Sequence, residues 1–207
     1  ARNWLAKVKG ELVAESYMPL GLGDFETILA DIKNQQPDWI FSTVVGDSDV
    51  LFRQKYIKAG LHPDKIPTAA LTTSEAEVRA MGYEFGEGHY CSAPYFQSLD
   101  NPINKKFVKD FLSSPYGESG VTQANMEATF LSLLFFKKAV EEIVATKGVD
   151  AVTPKYIRDV SAGMTLSAEE SPQGPIKIDP NNFNSWVTPK IGRFDQQGQV
   201  EIMLDRG

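Results

Sequence analysis

Two short polar clusters follow directly on runs of strand-forming residues, and they are the strongest candidates for chemistry in this chain. Gly46-Asp47-Ser48 comes after the apolar run 39–45, and Thr72-Thr73-Ser74-Glu75 comes after the run 66–71. Open α/β sheets hold ligands outside the carboxyl ends of their parallel strands, which is where both clusters fall. Gly46 lets a ligand approach the backbone, the Asp47 carboxylate accepts N–H bonds, and threonine hydroxyls such as those of Thr72 and Thr73 donate to a carbonyl. Asp47, Ser48 and Ser74 serve equally well as caps of the helices that follow; the two roles are compatible, because a helix N-terminus also offers backbone donors. A third candidate is Pro94-Tyr95-Phe96, whose aromatics either wall a cleft or pack between lobes.

Catalysis finds no constellation. His62 and His89 have no cysteine or carboxylate at metal spacing, so no metal is expected. There is no nucleophile elbow, no phosphate-binding loop and no dinucleotide fingerprint, and Gly21-Leu22-Gly23 lacks a third glycine and reads as a loop. Glu141-Glu142 and Glu169-Glu170 are adjacent in sequence, which on a helix turns them apart, as solvated faces rather than acid/base pairs. Cys91 reads as a small buried hydrophobe in a strand. No cofactor is implied.

The elements that must position the clusters alternate. Residues 11–18 read as a strand, 24–36 as a helix with Phe25, Ile28, Leu29 and Ile32 on one face, and 39–45 as a strand buried on both sides. A helix follows Gly46 and stops at Gly60, then come a strand over 66–71, a helix from Glu75 with Ser74 and Glu77 as a capping box, and a strand over 89–93. This rhythm predicts βαβ units on a parallel sheet, an α/β lobe over residues 1–95. Residues 96–187 then read as a different body, with helices over 102–112, 122–146 and 154–162; Thr153-Pro154 is a strong start signal. Strands over 176–178, 189–194 and 200–204 follow, the last two joined by a Gln196-Gln197-Gly198 turn, and this closing hairpin fits either body.

With 21 Lys and Arg against 27 Asp and Glu, the formal charge is −6, which argues against a nucleic-acid partner. The pairs Lys105-Lys106 and Lys137-Lys138 read as solvated helix faces. A content of 42% hydrophobic and 23% charged residues is ordinary globular composition, enough for a real core. The longest apolar stretch, 130–136, is far short of the ~20 residues of a bilayer span. A single cysteine forbids an internal disulfide. The chain opens without Met on what reads as the end of a helix running into Gly10, as a piece of a longer protein would.

Four segments carry a family resemblance: Phe41-Ser-Thr-Val-Val-Gly-Asp-Ser48, Leu71-Thr-Thr-Ser-Glu-Ala-Glu-Val78, Gly88-His-Tyr-Cys-Ser-Ala-Pro-Tyr-Phe-Gln-Ser98 and Pro172-Gln-Gly-Pro-Ile-Lys-Ile-Asp179. Together they resemble the urea and short-chain amide binding proteins, type I periplasmic binding proteins related to the branched-chain amino acid binding proteins. The resemblance implies two Rossmann-like α/β lobes with parallel sheets, joined by a multi-crossover hinge that closes on a ligand, with the leading part of the first lobe absent here. By the same resemblance residues 1–95 and 188–207 belong to the second lobe and 96–187 to the first, Val45, Gly46, Asp47, Thr72 and Thr73 line the second lobe's face of the cleft, and Tyr95 stands at the hinge wall. The implied function is to bind urea or a short amide and deliver it to the membrane subunits of an ABC transporter in the periplasm, with no turnover. Amino-acid binders of the superfamily place an acidic residue where this chain has Thr72. Relatives often carry two histidines where it has Phe183-Asn184. The alternatives are a branched-chain amino acid receptor and a sensing module, either a cytoplasmic regulator or the ligand-binding region of a membrane kinase.

Overall fold

The computed structural model describes residues 2–21 and 23–205. Ala1 of the expected leading helix, Leu22 of the Gly21–Gly23 loop and residues 206–207 of the closing segment lie outside the described residues.

The elements run α1 (Arg2–Lys7), α2 (Glu26–Gln35), β1 (Ile40–Ser42), α3 (Asp47–Lys58), β2 (Thr68–Ala70), α4 (Glu75–Met81), α5 (Tyr83–Gly86), β3 (Tyr90–Ala93), α6 (Pro102–Leu112), α7 (Ala124–Lys147), α8 (Pro154–Ser161), β4 (Thr165–Leu166), β5 (Ile176–Ile178), β6 (Ser185–Trp186), β7 (Lys190–Phe194) and β8 (Val200–Asp205). The larger sheet has strand order β1-β2-β3-β7-β8 and the smaller β4-β5-β6. Pairing of β1 with β2 and of β2 with β3 is parallel, as the alternation of strands and helices predicts.

Two strand expectations need correction. Residues 11–18 form no strand, and Leu12, Val13 and Tyr17 are exposed. Strand-forming residue types make a strand only where a neighbouring ladder takes up their N–H and C=O groups, and no described strand pairs with this segment. For the same reason β1 is an edge strand. The run 39–45 is not buried on both faces: Trp39 is 52% and Phe41 57% exposed, and only three residues keep the ladder.

The chain divides into two compact units. One comprises Ala1–Thr73, Glu77–Cys91 and Arg193–Gly198, and the other Ser74–Ala76, Ser92–Gly192 and Gln199–Gly207. In the first, the apolar faces of α2 and α3 meet over β1 and the start of β2, burying Phe25, Leu29, Phe52, Tyr56, Leu61 and Ile66. The rings of Phe25 and Phe52 meet edge-on at 5.4 Å, and the Tyr56 hydroxyl, which a core cannot leave unpaired, donates to the Ile66 carbonyl at 2.6 Å.

The second unit is built on helices. Asn101 caps α6 by accepting the Asn104 N–H at 2.8 Å, with Pro102 in the first turn, and Thr153 accepts the Tyr156 N–H ahead of Pro154 in α8. Along α7, Leu131, Phe135, Ala139 and Ile143 recur every four residues and form its buried face. Leu131 and Phe135 pack with Leu166 and Ile176 of the antiparallel sheet β4-β5-β6. Lys106 and Lys137 are exposed and pair one turn on with Asp110 and Glu141, as solvated faces do. Among the described residues, no helix is long and apolar enough to cross a membrane.

Candidate functional site

Strands β1 and β2 lie in register from Ile40 opposite Thr68 to Ser42 opposite Ala70, so the segments leaving their carboxyl ends emerge side by side. They are tied together. The Leu71 N–H reaches the Ser42 carbonyl at 3.4 Å, the Ser42 hydroxyl accepts the Val44 N–H at 3.3 Å, and the Thr72 hydroxyl donates to the Val44 carbonyl at 2.5 Å. Beyond Val44 the chain turns at Gly46, with φ 58° and ψ −139°, a conformation that only glycine adopts without strain. A Cβ at this position would meet nothing within 4 Å, so the backbone here is open to approach.

Helix α3 starts from this turn: the Gly46 carbonyl accepts the N–H groups of Asp49 at 2.9 Å and Val50 at 3.3 Å. Val45, Gly46 and Asp47 are exposed, and Thr72 is half-buried beside them. Asp47 occupies the first helical position rather than the cap, since Gly46 is the cap residue and no side chain caps it. The carboxylate therefore favours the positive end of the helix from inside its first turn and keeps its oxygens for other donors. In the second unit Ser74 does act as a cap, accepting the Ala76 N–H at 3.3 Å, while its hydroxyl donates to Gln123 at 2.6 Å.

Two of the expected residues have no hydroxyl to offer a ligand. Thr73 is buried: its hydroxyl donates to Asp49 Oδ2 at 2.7 Å and accepts from Arg53 Nη2 at 2.8 Å. Tyr95, in the second unit, is fully buried, its hydroxyl paired with Thr122 Oγ1 at 2.6 Å and its ring edge-on to Phe107 at 5.9 Å. Burial pushes the Tyr95 phenol far above its ordinary value. The role expected of a threonine hydroxyl also changes at Thr72. Its single proton goes to Val44, so toward a ligand it can only accept.

Behind the strand ends lies a buried network that no sequence motif announced. The Arg53 guanidinium, fully buried on α3, meets both Asp49 oxygens through Nε at 3.2 Å and gives Nη1 to Thr68 Oγ1 at 2.7 Å. Thr68 in turn contacts His89 Nδ1 through both its N–H and its hydroxyl, each at 3.0 Å. Because Nδ1 accepts the backbone N–H, the imidazole is neutral with its proton on Nε2. Burial first, then the nearby Arg53, His62 and Arg193 charges, hold the His89 pKa well below the ordinary histidine value. The spacing of Asp49 and Arg53, four apart on one helix, is the one local signal of this network.

In the second unit, Lys190 is buried and donates to the Pro94 carbonyl at 3.1 Å and the Gln173 carbonyl at 3.0 Å, with Asp205 at 3.9 Å. Glu127 is buried in the same unit. Loss of water pushes its carboxyl up to about 7, against the opposing pull of the Gln173 backbone N–H and the Lys190 charge. Among the described residues, no group of three or more His, Cys, Asp or Glu is placed to hold a metal ion.

Open α/β sheets place their ligands outside the carboxyl ends of parallel strands, where these polar turns lie. A family model described as "Periplasmic binding protein domain" matches residues 1–207, and the chain belongs to that family. It is 29% identical over 189 residues to "Leu/Ile/Val-binding protein homolog 6" of Brucella suis biovar 1 (strain 1330), covering 84% of this chain and 43% of that protein. It is 32% identical over 123 residues to a Geobacillus stearothermophilus protein named "Limonene hydroxylase", covering 59% of this chain and 21% of that one. Among solved structures, an ABC-transporter solute binding protein from R. palustris in complex with benzoate superposes with a TM-score of 0.82 at 21% identity, over 99% of this chain and 52% of that one. The fold is thus the α/β fold of the type I periplasmic binding proteins, and the chain spans about half or less of the length of these relatives.

Proposed function

We propose that this chain is part of a receptor that binds a small polar solute, urea or a short aliphatic amide, and hands it to the membrane subunits of an ABC transporter in the periplasm, without turnover. One observation carries the reading. The strand-end face of the first unit offers acceptors: the Thr72 oxygen, whose proton is spent on Val44, and the exposed Asp47 carboxylate beside the open backbone of Gly46. A solute recognised there presents N–H groups, as urea and primary amides do. Val45, Gly46, Asp47 and Thr72 are the proposed contacts. Tyr95 and Thr73 support their own units from within. We assign residues 1–95 and 188–207 to the second lobe of the family fold and 96–187 to the first.

A branched-chain amino acid is the second reading, favoured by the relative whose name is Leu/Ile/Val-binding. Its ammonium would also find Asp47 and Thr72 as acceptors, but its side chain needs an apolar wall. Calorimetric titration of the full-length protein with acetamide, formamide, propionamide, urea, leucine and valine separates the two. Saturable heat with amides or urea alone supports the first reading, heat with leucine or valine alone transfers the site to the second, and no heat with any of them removes both.

A further inference from the structure

Thr73 does not face the solute site, yet it is the residue next to Thr72, and it is gripped by two side chains of α3. Its hydroxyl accepts from Arg53 Nη2 at 2.8 Å and donates to Asp49 Oδ2 at 2.7 Å. The same guanidinium holds Thr68 Oγ1 at 2.7 Å, fixing the opposite end of β2, and Thr68 passes its own proton toward His89 at the start of β3. Every member of this circuit is buried. The hydrogen bonds also have a defined direction: arginine only donates and the carboxylate only accepts, so each threonine hydroxyl must accept on one side and donate on the other. At Thr73 this leaves one satisfied arrangement, and slipping the residue out of it leaves a buried donor and a buried acceptor unmet.

We propose that the Asp49–Arg53 pair, acting through Thr73, is the positioning element of the solute site. It locks the turn after β2 onto the first two turns of α3, so that Thr72 reaches the Val44 carbonyl and the Val45-Gly46-Asp47 segment stands in its binding geometry before a solute arrives. This rests on the strand-end reading of the site given above. Asp49, Arg53 and Thr73 touch no solute; they act through Thr72 and the start of α3. Sites held this way bind without the cost of ordering their loops at the moment of encounter.

The test removes one hydroxyl and keeps the shape. In the full-length protein, Thr73→Val deletes both bonds of the hydroxyl, and Thr73→Ser restores them without the methyl group. Amide hydrogen exchange is read without solute at Val44, Asp49, Val50 and Leu71, whose N–H groups close the two turns, with Leu29 on α2 as the reference. Thr73→Val is expected to speed exchange at the four site amides by about tenfold more than at Leu29, and Thr73→Ser to behave as wild type. Equal acceleration at Leu29 and at the site would reduce the circuit to general stability and overturn the proposal, as would no change at either. Should Thr73→Val not fold, Thr68→Val removes the other hydroxyl on the same guanidinium, and the same comparison decides. Titration with acetamide, urea and leucine is the second arm. A solute bound by wild type is expected to lose about tenfold in affinity to Thr73→Val and to regain it in Thr73→Ser; undiminished affinity contradicts positioning. If wild type binds none of the three, the solute reading fails for these probes, while the exchange arm still decides the positioning claim.

Discussion

The hydroxyl of Thr72 donates to the backbone carbonyl of Val44 at 2.5 Å, joining the loops that leave two neighbouring parallel strands. That one bond sets the polarity of the site, because a threonine has a single proton to give. Thr72→Val is expected to lower thermal stability by about 1 kcal/mol, the usual net worth of such a bond, and to weaken solute binding more than Thr72→Ser does. Thermal unfolding and titration of the two variants side by side check this.

The Asp49–Arg53 pair is buried completely, so its halves are worth far less apart than together. Arg53→Met alone leaves a carboxylate in the core and is expected to cost about 3–5 kcal/mol. Asp49→Leu combined with Arg53→Met removes both charges and is expected to recover most of that loss, although Thr73 and Thr68 then lose their partners. Chemical denaturation of the two single variants and the double variant measures the coupling.

Acid should weaken the first unit through His89. Its folded pKa is depressed, so the folded protein refuses a proton that the unfolded chain takes up below about 6.5. The sign is therefore a stability that is level above that pH and falls as pH drops through it, with a limiting slope of about 1.4 kcal/mol per pH unit. Arg53, His62 and Arg193 act on the ring electrostatically, while Tyr56 packs against it at 5.4 Å and Thr68 holds Nδ1. His89→Asn is expected to flatten this limb of the curve in denaturation measured between pH 5 and pH 8.

The second unit carries the opposite dependence. Glu127 has a folded pKa raised from 4.5 to about 7, so its ionisation costs the folded state more than the unfolded chain. That penalty is absent below pH 4.5, grows as pH rises through 7 and levels off above, at an order of 3 kcal/mol. Lys190 and the Gln173 N–H are the groups facing it that favour the charged form. Glu127→Gln is expected to be more stable than wild type at pH 8 and equal to it near pH 4, as thermal unfolding at the two pH values would show.

The reach of the sequence differed between the two kinds of feature. Helix α8 was legible because Thr153-Pro154 is a local signal, a cap and a first-turn proline adjacent in the chain, and α6 opens on the same pairing at Asn101-Pro102. The parallel pairing of β1 with β2 and of β2 with β3 followed from alternation alone. Residues 11–18 misled because strand propensity says nothing about whether a partner strand is there, and β4 and β6, two residues each, are too short to carry a period. At the site, Gly46 and Asp47 stood out as residue types. The engagement of Thr73 with Arg53 and of Tyr95 with Thr122, 20 and 27 residues apart, has no local trace. Only Asp49 and Arg53, one turn apart, left a spacing that pointed to the network.

The most direct test of the strand-end site is a crystal structure of the full-length protein with acetamide bound. The amide nitrogen is expected within hydrogen-bond distance of Thr72 Oγ1 and the Asp47 carboxylate, with the Thr72 bond to the Val44 carbonyl intact. Acetamide bound with its carbonyl oxygen against Thr72, or seated away from residues 45–47 and 72, would contradict it.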